Sequence, residues 1–341
     1  MLITGGAGFI GSNFVHYIYN KYPEYYIVIL DLLTYAGNVD NLPVNLSSKD
    51  DERLLFFYGN VCNAELVGTL VSQSDIVLHF AAESHVTRSI YDNLLFFQTD
   101  VLGTHAVANA VLNHKDTVER FIHISTSEVY GTAETEKISE EHTLKPLSPY
   151  ASAKCGADRL VWSYYATYDI PAVIVRPFNN YGPRQHLEKV VPRFITSVIL
   201  NEPLTVHGDG SALRDFVFAE DVCEALDMIL HSDLDKVKGQ VLNVGSGIHR
   251  SILEIAHDIL ELMDGSKSEI EFIGDRPGQV FRHTADISKI KELLGWEPNI
   301  SWHDGLMKTI NWYKANEKWW SKQIWMRHIP IITAAGKREL H

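Results

Sequence analysis

The stretch HISTSEVYG, His123 to Gly131, ends an apolar run on three consecutive polar side chains, Thr126, Ser127 and Glu128. Hydroxyls there can simply cap a strand end, because Ser and Thr satisfy backbone groups at such junctions. The same three groups could instead hold a substrate oxygen and move protons. Further along, Tyr150 and Lys154 stand four residues apart in SPYASAK. On a helix that spacing puts both side chains on one face, with Cβ atoms about 5 to 6 Å apart. A free phenol has a pKa of about 10, too high for a base at neutral pH. A neighbouring ammonium and a positively charged nicotinamide would both stabilise the phenolate and lower that value.

Near the start of the chain, Gly5, Gly8 and Gly11 in TGGAGFIGS follow a short apolar run and open a helix, with Phe9 and Ile10 among them as further cofactor candidates. Glycines so placed let the backbone approach a pyrophosphate at the positive end of a helix. Asp31 ends the next apolar run about 20 residues later, where a carboxylate accepts hydrogen bonds from an adenosine ribose. Leu32, Leu33 and Thr34 follow it, with no arginine for a 2′-phosphate, so NAD is the expected cofactor rather than NADP. Asn60, in YGNV, is a candidate for the adenine edge; Ala81 and Ala82 would let the cofactor lie close, and Thr99 is a further cofactor candidate.

The elements that must position these groups alternate: apolar runs MLIT, YYIVILD, LLFFYGN, DIVLHFAA, RFIHIST and AVIVRPF are separated by helical patterns. That is the pattern of a parallel sheet wrapped by helices, an α/β, Rossmann-type doubly wound fold. Helices are expected near Ser12 to Lys21, over Asn93 to Leu112, and from Ser148, a natural N-cap followed by Pro149 at the first helical position. After Phe178, glycine and proline punctuate NNYGPRQ, HGDGSALRDF and GDRPGQ, with helices expected over Val190 to Leu200 and Ile252 to Leu262. The expected division is a cofactor-binding domain over 1–178 and a smaller, mainly substrate-binding domain over 179–341, with a strand near 239–245 returning to the main sheet. Trp319, Trp320 and Trp325 near the end read as packing or oligomer contacts, since clustered aromatics usually serve burial.

Composition excludes several classes. Of 341 residues, 45% are hydrophobic and 21% charged, ordinary for a folded protein. A formal charge of −13 without a basic stripe argues against nucleic acid or an anionic membrane as partner. The three cysteines, Cys62, Cys155 and Cys223, have no metal-type spacing, so neither a metal site nor a disulfide framework is expected, and a reducing cytoplasm fits. The N-terminus has no signal-peptide pattern, and no apolar run approaches the ~20 residues of a membrane helix.

Taken together, TGGAGFIGSNF, LTYAGNVDNL, HFAAESHVTRSI, EVYG, SPYASAK, NNYGP, EKVVPRFI, RDF and DRPG resemble the extended short-chain dehydrogenases/reductases. Within them the chain is most similar to the nucleotide-sugar 4,6-dehydratases, dTDP-glucose 4,6-dehydratases foremost. LTYAGN, FAAESHV and NNYGP are the segments more specific to that branch. The resemblance implies that Tyr150 takes the proton of the sugar 4-hydroxyl while hydride passes from C4 to NAD. Glu128 is then the base at C5, water leaves from C6, and the hydride returns to C6. Thr126 would hydrogen-bond the 4-oxygen.

It also implies sugar contacts from Glu83, Ser84 and His85, and Asn179 near the diphosphate. Lys189, Arg193, Arg214, Asn243 and Arg282 are candidates for diphosphate and base, where arginine's planar fork can pair with phosphate oxygens. His85 reads equally as a hydrogen-bonded structural histidine. The family implies a homodimer through helices near 93–112 and 150–168. Ser127 departs from the dTDP-glucose pattern, which has an aspartic acid there to protonate the departing hydroxyl. Thr-Ser-Glu is shared by GDP-mannose and amino-sugar dehydratases, where one glutamate can serve as base and acid, and by UDP-glucuronate decarboxylases. His283 stands where tyrosine is frequent, and Asp100 where many relatives carry asparagine. The expectation is an NDP-hexose 4,6-dehydratase acting on dTDP-glucose or an NDP-amino sugar. A UDP-glucuronate decarboxylase, a 4-epimerase and a non-catalytic NAD-binding protein are the alternatives.

Overall fold

The computed structural model describes residues 1–46, 52–264, 267–274, 280–332 and 337–340. The apolar runs form strands β1 (Leu2–Thr4), β2 (Ile27–Asp31), β3 (Leu54–Tyr58), β4 (Ile76–His79), β5 (Arg120–Ile124) and β6 (Ala172–Pro177). Strands β1, β5 and β6 are buried along their whole length, as expected of a sheet covered on both faces. The later strands include β7 (Asn179–Tyr181), β8 (Leu204–His207), β9 (Leu213–Phe218), β10 (Val241–Val244), β11 (His249–Ser251), β12 (Ile270–Ile273) and β13 (Arg282–His283).

Strand β10 pairs parallel with β6, the return anticipated near 239–245. The main sheet therefore has seven strands in the order β10-β6-β5-β4-β1-β2-β3, every pair parallel. The chain winds outward from β1 to β3, then crosses back to β4 and winds the other way. Between β1 and β4 the direction reverses, and a crevice opens at the strands' C-terminal ends, where ligands bind in such sheets. One core packs helices Phe9–Lys21 and Ala219–His231 on one face; another packs Ala64–Val71, Thr104–Asn113 and Pro149–Tyr168 on the other.

Beyond Phe178, β9 takes β7 and β13 as parallel partners and β11 as an antiparallel one, while β12 pairs with β8. These strands share a core of their own with Phe194, Ile255, Leu306, Trp319 and Trp320. Trp319 and Trp320 are buried, each indole donating a hydrogen bond, whereas Trp325 is exposed.

Helices Val190–Leu200 and Ile252–Leu262 have the expected bounds. Ser148 caps Pro149–Tyr168, its Oγ accepting from the Ala151 N–H at 3.1 Å. The first helix begins at Phe9, earlier than expected, because Gly8 in the loop itself is its cap. The helix expected over 93–112 is not uniform: Leu94–Phe96 leads into a π-helical turn, Phe97–Gly103, before the α-helix Thr104–Asn113. Inside the wide turn Asp100 is fully buried and its Oδ1 accepts from the Glu83 N–H at 2.8 Å. Such turns concentrate at functional sites. The DRPG motif, 275–278, lies outside the described residues.

Candidate active site

The crevice is a single cavity running from the glycine loop to β9. At its first end the loop between β1 and the Phe9–Lys21 helix is packed backbone against backbone. A Cβ at Gly5, whose φ is +71°, would lie 2.5 Å from the Ala81 nitrogen, and one at Gly11 would lie 2.3 Å from the Gly5 carbonyl oxygen. Asp31, at the end of β2, accepts from the Ala7 N–H at 2.9 Å and the Leu33 N–H at 2.8 Å. Burial pushes its carboxyl pKa up, and these two bonds pull it down. Every residue assigned above to the cofactor lines this cavity except Lys154. A close-packed glycine turn opening a helix, with a carboxylate on the adjacent strand, fits the pyrophosphate and ribose of a dinucleotide.

At the other end, Thr126 caps a short 3₁₀ turn, Ser127–Tyr130, its Oγ1 accepting from the Glu128 N–H at 3.2 Å. Thr126, Glu128 and Tyr150 line the cavity together. Burial dominates Tyr150 and pushes its phenol pKa up; a hydrogen bond with Thr126 pulls it down, and the Asp100 and Glu128 carboxylates push it up. The lowering expected from Lys154 is thus not the governing influence here. Its Nζ is buried and donates to the carbonyl of Ile124, a lining residue, at 2.7 Å, while Lys154 itself is not on the cavity lining. Burial lowers the Lys154 pKa and raises that of Asp100, and each charge partly offsets the effect on the other.

Ser127 also stays off the cavity wall. It is buried, with its Oγ 3.5 Å from His283 Nδ1. Glu128 Oε1 lies 3.9 Å from the same nitrogen. Beneath the triplet, Arg176 on β6 grips Asp158 with two bonds, 2.9 and 2.8 Å long, and donates to the Tyr130 hydroxyl at 2.9 Å. Burial alone would raise the Asp158 carboxyl, but the hydrogen bonds and charge of Arg176, with Arg159, hold it well below the usual range.

Of the substrate candidates, Glu83, Ser84, His85, Asn179, Lys189, Arg193 and Arg214 line the cavity. His85 also has the structural role weighed for it: its Nδ1 accepts from the Arg88 N–H at 3.3 Å at the start of helix Val86–Tyr91. Lys189 Nζ donates to the Ser84 carbonyl at 2.8 Å, and Arg193 donates to Thr205 Oγ1 at 2.7 Å. Two candidates lie off the lining. Asn243 is fully buried inside β10, its Oδ1 accepting from the Tyr130 hydroxyl at 2.8 Å and its Nδ2 donating to the Ile138 carbonyl at 2.9 Å. Arg282 is off the lining, donating to the Thr135 carbonyl at 2.7 Å.

Tyr35 and Glu188 line the cavity without having been assigned a role, although both fall in recognised segments, LTYAGN and EKVVPRF. Glu188 is buried and accepts from Arg88 Nε at 3.0 Å, and the Arg88 guanidinium sits 4.1 Å above the Tyr35 ring.

A seven-stranded parallel sheet with a glycine turn at its switch point, and a Tyr-x-x-x-Lys helix beside it, defines an extended short-chain dehydrogenase/reductase fold. Residues 2–309 match the family model described as GDP-mannose 4,6 dehydratase, and the chain belongs to that family. It is 44% identical over 319 residues to the low-salt glycan biosynthesis protein Agl12 of Haloferax volcanii, covering 93% of this chain and 99% of that one. It is 38% identical to a dTDP-glucose 4,6-dehydratase of Actinoplanes, covering 94% and 99% of the two chains. Its structure is similar to DesIV, a dTDP-glucose 4,6-dehydratase of Streptomyces venezuelae solved with NAD bound, at 36% identity and a TM-score of 0.88, covering 94% and 99%. A UDP-glucuronic acid 4-epimerase of Bacillus cereus matches with a TM-score of 0.84 at 31% identity, covering 92% and 98%.

Proposed function

We propose that this chain is an NAD-dependent NDP-hexose 4,6-dehydratase, with dTDP-glucose or an NDP-amino sugar as substrate. The observation that carries this reading is one cavity wall on which Thr126, Glu128 and Tyr150 meet, reached from the glycine loop and Asp31 without a break. The dTDP-glucose dehydratases among its relatives, solved with NAD in the case of DesIV, support both cofactor and substrate. Bound NAD supplies the hydride acceptor for C4 and the hydride donor for C6.

Tyr150 removes the proton of the 4-hydroxyl, and Thr126, already hydrogen-bonded to that phenol, holds the 4-oxygen. Oxidation at C4 acidifies the C5 proton, which Glu128 takes as the C6 hydroxyl leaves as water. Positioned acid-base groups of this kind contribute about 10² to 10⁴ in rate. Lys189, Arg193 and Arg214 supply positive charge for the diphosphate, and Glu83, Ser84, His85 and Asn179 contact the sugar side. Lys154 acts by fixing the Ile124 carbonyl beneath the triplet. We assign residues 1–178, with β10, to the cofactor and most of 179–341 to the substrate.

Leu94, Leu95, Phe97 and Leu102 are exposed in the stretch leading into Thr104–Asn113, as is Trp162 on the neighbouring helix. An apolar strip of that kind supports a homodimer through these helices. The free cysteines and the lack, among the described residues, of a helix able to cross a membrane fit a cytoplasmic enzyme. Incubation with a panel of NDP-sugars, followed by NMR of the products, tests the reading. A 4-keto-6-deoxy sugar is expected. CO₂ from UDP-glucuronate, or a simple C4 epimer, would replace it with the decarboxylase or the epimerase.

A further inference from the structure

Two departures of this chain from the dTDP-glucose pattern touch each other. Ser127 stands in place of an aspartic acid and His283 in place of a tyrosine, and Ser127 Oγ lies 3.5 Å from His283 Nδ1. The contact follows from strand register. β13 pairs with β9, setting His283 beside Arg214 and turning its ring onto the 3₁₀ turn that begins at Ser127. The imidazole is 1% exposed, and its Nε2 donates to the Gly131 carbonyl. With Nε2 committed as a donor, Nδ1 is the ring nitrogen that takes up and gives back a proton, and it carries one only while the ring is the charged imidazolium. It faces Glu128 Oε1 at 3.9 Å.

Dehydration of the sugar releases protons from O4 and C5. It consumes one at the departing O6 and one at C5 after hydride returns to C6. Tyr150 keeps the first. Glu128 carries only one proton at a time, so if the C5 proton leaves with the water, C5 needs a second donor. An aspartic acid at position 127 would remove that shortage; a serine does not.

We propose that His283 and Glu128 share a second proton, and that this pair replaces the acid missing at Ser127. The inference rests on the dehydratase reading. The C5–H bond breaks as the Glu128 O–H bond forms; that proton then passes to O6 while the C6–O6 bond breaks and its electron pair leaves in water. Next the Nδ1–H bond of His283 breaks, Glu128 is protonated again, and this proton is delivered to C5. His283 ends neutral and Tyr150 one proton richer, and exchange through water returns that proton, so the cycle balances. His283 acts through Glu128 and is a positioning residue.

The groups facing the imidazole are Ser127 and Glu128 on the turn, Arg214 on β9, His142 on the loop before helix Pro149–Tyr168, and the Phe178 ring after β6. Burial is the largest influence and leaves the imidazole pKa below its ordinary value; the Glu128 anion and the Gly131 hydrogen bond raise it in part, and the Arg214 and His142 charges lower it further. Any titration seen in the rate therefore belongs to the pair.

Kinetics of His283→Gln, alone and combined with Ser127→Asp, test the proposal alongside an NMR titration of the His283 ring with and without Glu128→Gln. His283→Gln is expected to lose about 100-fold in kcat with little change in KM, together with the alkaline limb of the pH profile. Ser127→Asp should restore about tenfold of that loss, and Glu128→Gln should shift the His283 midpoint downward. Unchanged kcat and pH profile in His283→Gln, or a His283 midpoint indifferent to Glu128, overturns the pair. The NMR titration decides even if His283→Gln fails to fold. A wild-type protein that dehydrates no NDP-sugar overturns the dehydratase reading and the pair's role together; a dehydratase indifferent to His283→Gln overturns the pair alone.

Discussion

The two ends of the cavity are made of different material. Around Gly5 and Gly11 the wall is backbone on backbone, with room for no Cβ, and its one charged group, Asp31, is tied to main-chain N–H groups. Around Thr126, Glu128 and Tyr150 the wall is side chains from separate elements, held by buried partners such as Arg176 and Asp158. The first end is a shape that a sequence must leave empty. The second is a set of proton affinities that distant residues must tune.

That difference sets how each end should fail. The largest effect belongs to Glu128→Gln, which keeps the shape and removes the base. Its kcat should fall about 10² to 10⁴-fold, while C4 oxidation proceeds and reduced cofactor accumulates in stopped-flow absorbance. Full turnover in this variant would show that the side-chain end does not work through Glu128.

Next comes the support beneath the triplet. Arg176→Met leaves the buried Asp158 carboxylate with the partly exposed Arg159 as its remaining cationic partner and should cost roughly 3 kcal/mol in urea denaturation. Asp158 is held below its unfolded value of about 4, so its contribution is present above that pH and is lost as pH falls through the folded value. The urea midpoint of the native protein should therefore drop on acidification. Asp158→Asn should lack that part of the slope; an identical slope in both would remove Asp158 from the account.

At the backbone end, Gly11→Ala forces a Cβ to within 2.3 Å of the Gly5 oxygen. A loss of about 2 to 3 kcal/mol is expected, with weaker NAD binding by calorimetry. If affinity is kept, the glycine turn is not where the cofactor is gripped. The smallest effect is Ser148→Ala, which removes the cap of the helix carrying Tyr150 and should cost about 1 kcal/mol in the same denaturation assay.

The backbone end was the more legible from sequence. Glycine spacing, Asp31 at a strand end and Ser148-Pro149 all depend on local rules that act within a few residues, and each appears in the fold as expected. The side-chain end was legible as residue types but not as directions. Motifs placed Asn243 and Arg282 among substrate contacts, yet Asn243 turns into the sheet interior and Arg282 toward Thr135. The spacing of Tyr150 and Lys154 holds, but spacing does not show that the Lys154 ammonium reaches the Ile124 carbonyl. The π-helical turn at Phe97–Gly103 leaves the apolar pattern of its helix readable while widening one turn around Asp100. His283 was visible only as a departure from a pattern; the β13–β9 register is what joins it to Ser127 and Glu128.

The most direct test of the whole account follows one atom. Substrate carrying deuterium at C4 is converted in a single turnover, and the product is read by NMR. A 4,6-dehydratase built on this cavity moves the label from C4 to C6 of the same sugar, leaving a 4-keto-6-deoxy product with deuterium in its methyl group. Deuterium retained at C4, or a product without the C6 methyl, would contradict it.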